Sequence, residues 1–118
     1  MTDKSKFLQK FNEAFANNDV EYLSRNVTDD IHWKVIGDQT IQGKEAFTEA
    51  LKQMATDEPF DMVINNLIID GNTAVMDGKI SSSTDGKTYA VCDIYKFSDS
   101  DEPKIKEMTS YALELKEG

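Results

Sequence analysis

The stretch Tyr89-Ala90-Val91-Cys92-Asp93-Ile94-Tyr95-Lys96-Phe97 decides how this chain folds. It alternates as a β-strand, with Tyr89, Val91, Asp93, Tyr95 and Phe97 on one face. That face is aromatic and apolar except at Asp93. A carboxylate in such surroundings must be solvated, paired, or kept protonated by a raised pKa, and either of the last two marks a site.

Working outward, the strand sits in what reads as a four-stranded antiparallel meander. Upstream, Phe60 to Asp70 is strand-like, Asp70-Gly71-Asn72 turns the chain, and Thr73 to Ser83 runs back to a hairpin signal at Asp85-Gly86-Lys87. Downstream, Ser98-Asp99-Ser100-Asp101-Glu102-Pro103 is a polar loop. Lys104 to Leu115 is the last strand, with Ile105, Tyr111 and Leu113 alternating against Met108, Ser110 and Ala112. Both faces of these late strands carry apolar groups, where a sheet wet on one side shows a cleaner polar face.

The N-terminal half adds helices. Phe7, Phe11, Ala14 and Phe15 make an apolar stripe at helical spacing, with Lys10, Asn12 and Glu13 falling mostly elsewhere. Asn17-Asn18-Asp19 ends it, and Asp19 caps a short second helix carrying Val20, Tyr22 and Leu23. After Thr28-Asp29-Asp30, Ile31 to Ile36 alternates as a strand with Ile31, Trp33 and Val35 on one side. Gly37 to Gly43 is a turn-rich connection, and a third helix presents Ala46, Phe47, Ala50, Leu51 and Met54 before Pro59. The order α-α-β-α-β-β-β-β predicts an α+β fold with helices on one face of a curved, mostly antiparallel sheet.

Composition limits the partners. A chain of 118 residues, 39% hydrophobic, suits one domain over residues 1–118 with a single core. Thirteen Lys and Arg against 22 Asp and Glu give a formal charge of -9, which repels phosphate backbones and anionic lipid. Neither nucleic acid nor membrane is an expected partner, and no apolar run approaches the roughly 20 residues that span a bilayer. The single Cys92 excludes an internal disulfide, and the start Met-Thr-Asp-Lys-Ser-Lys leads into an amphipathic segment, so a cytoplasmic location is expected.

Phe11-Asn12-Glu13-Ala14-Phe15 followed by Asn18-Asp19, Thr28-Asp29-Asp30 before a strand, Gly43-Lys44-Glu45-Ala46-Phe47, Asp93-Ile94-Tyr95-Lys96-Phe97, and Lys104-Ile105 occur here in one order and spacing. Together they resemble the SnoaL-like and ketosteroid-isomerase-like branch of the nuclear transport factor 2 (NTF2-like) superfamily, over nearly the whole chain. The resemblance implies a cone whose concave sheet face and helices enclose an apolar pocket, and an outer sheet face that forms a homodimer. It turns Trp33, Val35, Met76, Ile80, Val91, Asp93, Tyr95, Met108 and Ser110 inward. The fold hosts isomerases, cyclases, dehydratases, epoxide hydrolases and non-catalytic binding domains, so it does not by itself assign an activity.

Ketosteroid isomerases, to which the fold is similar, use a strand Asp as base, with a helix Tyr and a protonated strand Asp holding the dienolate oxygen. The matching protonated carboxyl is Asp93, but Val35 stands at the base position and Phe11 at the Tyr position, so the resemblance does not extend to that mechanism. The Asp-Arg-Asp set of limonene-epoxide hydrolases is likewise absent, because the sole arginine, Arg25, lies in the second-helix region. SnoaL-type cyclases, in which one Asp shuttles a proton during ring closure, leave a role for Asp93 as the acid/base acting on a small, carbonyl-bearing apolar molecule.

The bland reading of Asp93 is a carboxyl that anchors its strand by hydrogen bonds from Tyr95, Ser110 or water. Trp33 is equally a core residue or a flat wall for a ring-shaped ligand. His32, the one histidine, faces opposite Trp33 and is assigned to the outer face. Ser81-Ser82-Ser83 has no nucleophile elbow and reads as polar strand end, while Cys92 reads as a small apolar packing group. One His and one Cys do not make a usual zinc set, Asp99-Ser100-Asp101-Glu102 reads as a solvated tip, and no phosphate or dinucleotide motif is present, so no metal or cofactor is expected. An enzyme of isomerase, cyclase or lyase type, a non-catalytic ligand-binding domain and a dimerisation module all remain open.

Overall fold

The computed structural model describes residues 3–54, 58–82, 86–98 and 104–116. Its elements are α1 (Asp3–Ala16), α2 (Val20–Arg25), β1 (Val27–Val35), β2 (Gln39–Gln42), α3 (Lys44–Met54), β3 (Asp61–Asp70), β4 (Thr73–Ser81), β5 (Thr88–Phe97) and β6 (Ile105–Leu115). They form the expected α+β arrangement, with a six-stranded sheet in the order β2-β1-β6-β5-β4-β3. Among the described residues, only the β1–β6 pair is parallel. Ser83, Asp85 and the Asp99 to Pro103 part of the polar loop lie outside the described residues.

The aromatic spacing of α1 sets its path. Phe7 meets Phe97 edge-on at 5.6 Å, Phe11 meets Tyr95 edge-on at 6.3 Å, and Phe15 stacks on Phe60 at 6.2 Å. The helix therefore runs along the inner face of the strand that decided the fold. Its end is a Schellman motif: Asn18 takes φ 60°, Asp19 N–H donates to Ala14 C=O at 2.8 Å, and Asn18 N–H donates to Phe15 C=O at 3.2 Å. Asp19 then caps α2 by accepting from Tyr22 N–H at 3.2 Å.

Several local expectations change. The Gly37 to Gly43 connection holds β2, whose one buried residue, Ile41, pairs in register with Trp33. Thr28, Asp29 and Asp30 are already in β1 rather than before it. Ala46 is exposed, whereas Phe47 and Leu51 bury and Phe47 meets Trp33 edge-on at 5.5 Å. Leu8, outside the stripe counted from the sequence, is fully buried.

Two bulges re-aim side chains. In the β5–β6 pairing the register shifts between Lys96↔Glu107 and Phe97↔Ile105, and this turns Ile105 into the core instead of outward with Tyr111 and Leu113. In the β3–β4 pairing the shift between Ile64 and Asn66 lets Met62 and Ile64 share the concave face with Leu67 and Ile69. Gly78 lies against that second bulge, where any Cβ would run into the Val63 carbonyl oxygen. Among the described residues, no helix is long and apolar enough to cross a membrane.

Candidate functional site

Strand register stacks the concave face in rows. One row holds Ala74, Tyr95, Met108 and Trp33, and the next holds Met76, Asp93, Ser110 and Val35. The first row is closed, with Tyr95 at 0%, Trp33 at 4% and Met108 at 6% exposure. In the second, Met76 is buried, but Asp93, Ser110 and Val35 are half-buried; beyond them Val91 is half-buried and Ala112 exposed. Asp93 thus sits where a filled core gives way to an open face.

Two chains of donors converge on its carboxyl. Trp33 Nε1–H donates to Ser110 Oγ at 2.9 Å, and the Ser110 hydroxyl donates to Asp93. From the other side, Asn12 Nδ2–H donates to Tyr95 Oη at 3.2 Å, and Tyr95 O–H donates to Asp93 Oδ2, also at 3.2 Å. Burial raises the Asp93 pKa, and the Ser110 and Tyr95 hydrogen bonds oppose that rise without cancelling it. Among the described residues, no basic side chain adds to these causes. Burial also lifts the Tyr95 phenol well above its usual range, helped by the neighbouring Asp93 charge. The result is an oriented carboxyl that holds its proton more tightly than a surface Asp, beside a phenol that stays protonated.

The structure brings together most of the residues assigned inward from the sequence. Phe11, Trp33, Met76, Tyr95 and Met108 belong to one buried cluster, with Val35 and Val91 packed against it. Ile80 is buried further along β4, in register with Tyr89. His32 is half-buried on the side of β1 opposite Trp33, as its parity implied. Cys92 lies on the outer sheet face in register with Asp77 and Tyr111; burial and then the Asp93 and Asp77 charges push its thiol pKa up, which disfavours the reactive thiolate. Ser81 is engaged with Thr88 at 3.1 Å between their hydroxyls. Among the described residues, no group of His, Cys, Asp and Glu is arranged to hold a metal ion.

Asn12 is the residue that sequence reading missed. Grouped with the polar side of α1, it is only 3% exposed and links Tyr95 to the Leu8 carbonyl, to which its Nδ2 donates at 2.9 Å. The available signal was its position one turn after Leu8 and next to Phe11, which places it at the margin of the buried stripe. Asn12 also lines an open cleft of about 350 Å³ between α1 and the start of β3, with Gln9, Glu13, Ala16, Asn17, Phe60, Asp61, Met62 and Ile64. None of the pocket residues assigned from the sequence lines this cleft. A separate void of about 10 Å³, lined by Phe15, Val20, Leu23, Leu51 and other side chains, is no larger than a water.

The family profile of the SnoaL-like domain matches residues 8–108. Among solved structures, the chain is similar to an NTF2-like protein of unknown function from Cytophaga hutchinsonii, at 27% identity and a TM-score of 0.73, over 89% of this chain and 95% of that one. It is also similar to a candidate SnoaL-like polyketide cyclase from Shewanella denitrificans, at 16% identity and a TM-score of 0.81, over 96% of this chain and 92% of that one. A candidate ketosteroid isomerase from Kribbella flavida aligns at 12% identity and a TM-score of 0.77, over 94% and 78%. The last two likenesses are of fold alone. No curated protein matches the sequence.

Proposed function

This chain belongs to the SnoaL-like domain family, and from that premise we propose that it acts on a small hydrophobic molecule bearing a carbonyl group, with Asp93 as acid/base. The observation that carries this reading is the convergence of two donor chains on a carboxyl with a raised pKa at the open edge of the concave face. As carboxylate, Asp93 takes a proton from the carbon next to the substrate carbonyl. As acid, it returns that proton to another substrate atom, which is the net chemistry of an isomerisation, a ring closure or, with a leaving group, an elimination. A raised pKa suits both halves of such a cycle near neutral pH. The reading needs no metal or nucleotide cofactor, and Val35 and Phe11 keep it distinct from the ketosteroid-isomerase mechanism.

Asp93→Asn tests it. The variant keeps shape and hydrogen-bonding capacity, so it is expected to fold and to bind flat aromatic ketones, detected by quenching or shift of Trp33 emission, while turnover is lost. Unchanged turnover would overturn the assignment. A second reading, a binding domain without turnover, is favoured by the full burial of Met76 and Tyr95, which leaves less of the concave face for a substrate. Ligand binding that persists with no turnover in the unmodified protein selects it.

We also propose that a second copy covers the outer sheet face, where Val63, Ile68, Tyr111 and Leu113 are exposed. Light scattering at micromolar concentration is expected to give a dimer, and Leu113→Asp a monomer. A monomeric unmodified protein would remove this assembly.

A further inference from the structure

We propose that Ser110 is a second catalytic residue: its hydroxyl turns from Asp93 to the substrate oxygen when Asp93 takes a proton, and stabilises the negative charge that appears there. This deepens the acid/base reading of Asp93 and rests on it. Ser110 lies across from Asp93 in the β5–β6 register and from Val35 in the β1–β6 register. It is half-buried, whereas Tyr95, the other hydroxyl on Asp93, is 0% exposed and closed off from a ligand.

The turn follows from counting protons. A serine hydroxyl has one proton to give and two lone pairs to fill. With Asp93 ionised, the Ser110 proton goes to the carboxylate, a charged acceptor that outcompetes neutral ones. Trp33 Nε1–H fills one Ser110 lone pair at 2.9 Å. Tyr95 O–H already occupies Asp93 Oδ2 at 3.2 Å, so a proton arriving at Asp93 goes to the other oxygen, with Ser110 Oγ as its acceptor. Both Ser110 lone pairs are then filled. Its own proton is left to the open side of the row, where Val35 is half-buried and Ala112 exposed. In the reaction the C–H bond next to the carbonyl breaks, its proton joins Asp93, and its electron pair moves onto the carbonyl oxygen as an enolate. Ser110 gains and loses no proton; it rotates, and a donor meets the oxygen in the step that charges it.

The row around Asp93 brings Met76 from β4, Ser110 from β6 and Val35 from β1, and α1 brings Asn12 behind Tyr95; none of the four is charged. Among the described residues, the titratable groups coupled to Asp93 are Tyr95 and, on the outer face beside Asp77, Cys92, both raised above their ordinary ranges.

Acetophenone and ethylbenzene share one apolar body and differ in the carbonyl oxygen, so calorimetry with each on the whole protein isolates the hydrogen bond. Carboxyl-carbon NMR locates the Asp93 midpoint. Below it, acetophenone is expected to bind about tenfold more tightly than ethylbenzene, and above it, with the hydroxyl back on the carboxylate, that preference is expected to vanish. Ser110→Ala is expected to reduce the low-pH preference to less than about twofold, and Ser110→Thr, which keeps a hydroxyl, to restore it. Asp93→Asn, whose amide donates to Ser110 as the protonated acid does, is expected to fix the preference at its low-pH value at every pH. A preference that survives Ser110→Ala, one that is absent from the unmodified protein below the midpoint, or one that still follows pH in Asp93→Asn would each overturn the proposal. Turnover that persists in Asp93→Asn removes the acid/base reading instead, a result on which these affinities do not depend.

Discussion

The two halves of the concave sheet face are built from the same strands and do different work. Around Tyr95 and Phe97 every inward side chain touches another, α1 lies on top, and the space is filled. From Asp93 onward the inward positions of β5, β6 and β1 are half-buried or exposed and polar groups appear, while on β4 Met76 and Ile80 stay buried and a cleft opens between α1 and the start of β3. The boundary falls at one strand row. A short domain can hold both a core and a more open face because α1 crosses from Phe97 at one end of the sheet to Phe60 beside the start of β3, and leaves the inward side chains of β5, β6 and β1 beyond Asp93 partly exposed.

The largest effect expected from breaking this contrast is at the filled end. Phe97→Ala removes a ring 4% exposed and packed on Phe7, and the loss should be about 3–5 kcal/mol. Val91→Ala, on the same face at the half-buried end, should cost much less. Urea unfolding of both variants is the measurement, and equal losses would erase the distinction between core and site. Next in size is Gly78→Ala, which drives a methyl group into the Val63 carbonyl beside the β3 bulge. The strain should cost about 1–3 kcal/mol and reshape the cleft wall at Met62 and Ile64, so the NMR signals of those residues should move along with the unfolding midpoint.

The same contrast explains what could be read in the sequence. Alternation is a local property, so the inward set from Tyr89 to Phe97 was legible, and so was the helical stripe of Phe7, Phe11 and Phe15. Bulges are properties of a pair of strands. Ile105 counts as an outward residue along its own strand and becomes an inward one only because the pairing with Lys96 and Phe97 slips. The strand at Gln39 to Gln42 was hidden for a related reason: four residues between two glycines carry no pattern until Trp33 and its neighbours offer an edge to pair with. The site was half legible. An acid among aromatics stands out at Asp93, whereas Asn12 is an ordinary polar helix residue until Tyr95 is placed beside it, and the cleft depends on a bend that no single segment encodes.

The smallest predicted effect is a dependence of stability on pH, and its sign separates the boundary row from the surface. The unfolded chain ionises Asp93 near the ordinary carboxylate value of about 4, while burial holds the folded group protonated to higher pH. Between those points the folded state binds more protons than the unfolded state, so stability falls as pH rises. The Asp93 contribution is complete below the unfolded value and is lost as pH climbs through the raised folded one. Asp30, whose pKa is lowered chiefly by the nearby Thr28 side chain, acts in the opposite sense and below the ordinary value, where its contribution is lost as pH falls. Cys92 and Tyr95 are both raised, and both begin to act only above their own higher ordinary values, so a series of urea midpoints from about pH 4.5 to 7.5 isolates Asp93. Asp93→Asn cannot titrate and should flatten the downward slope across that window. A slope that survives the substitution would place its origin elsewhere and would leave Asp93 as an ordinary solvated carboxyl at the edge of the core.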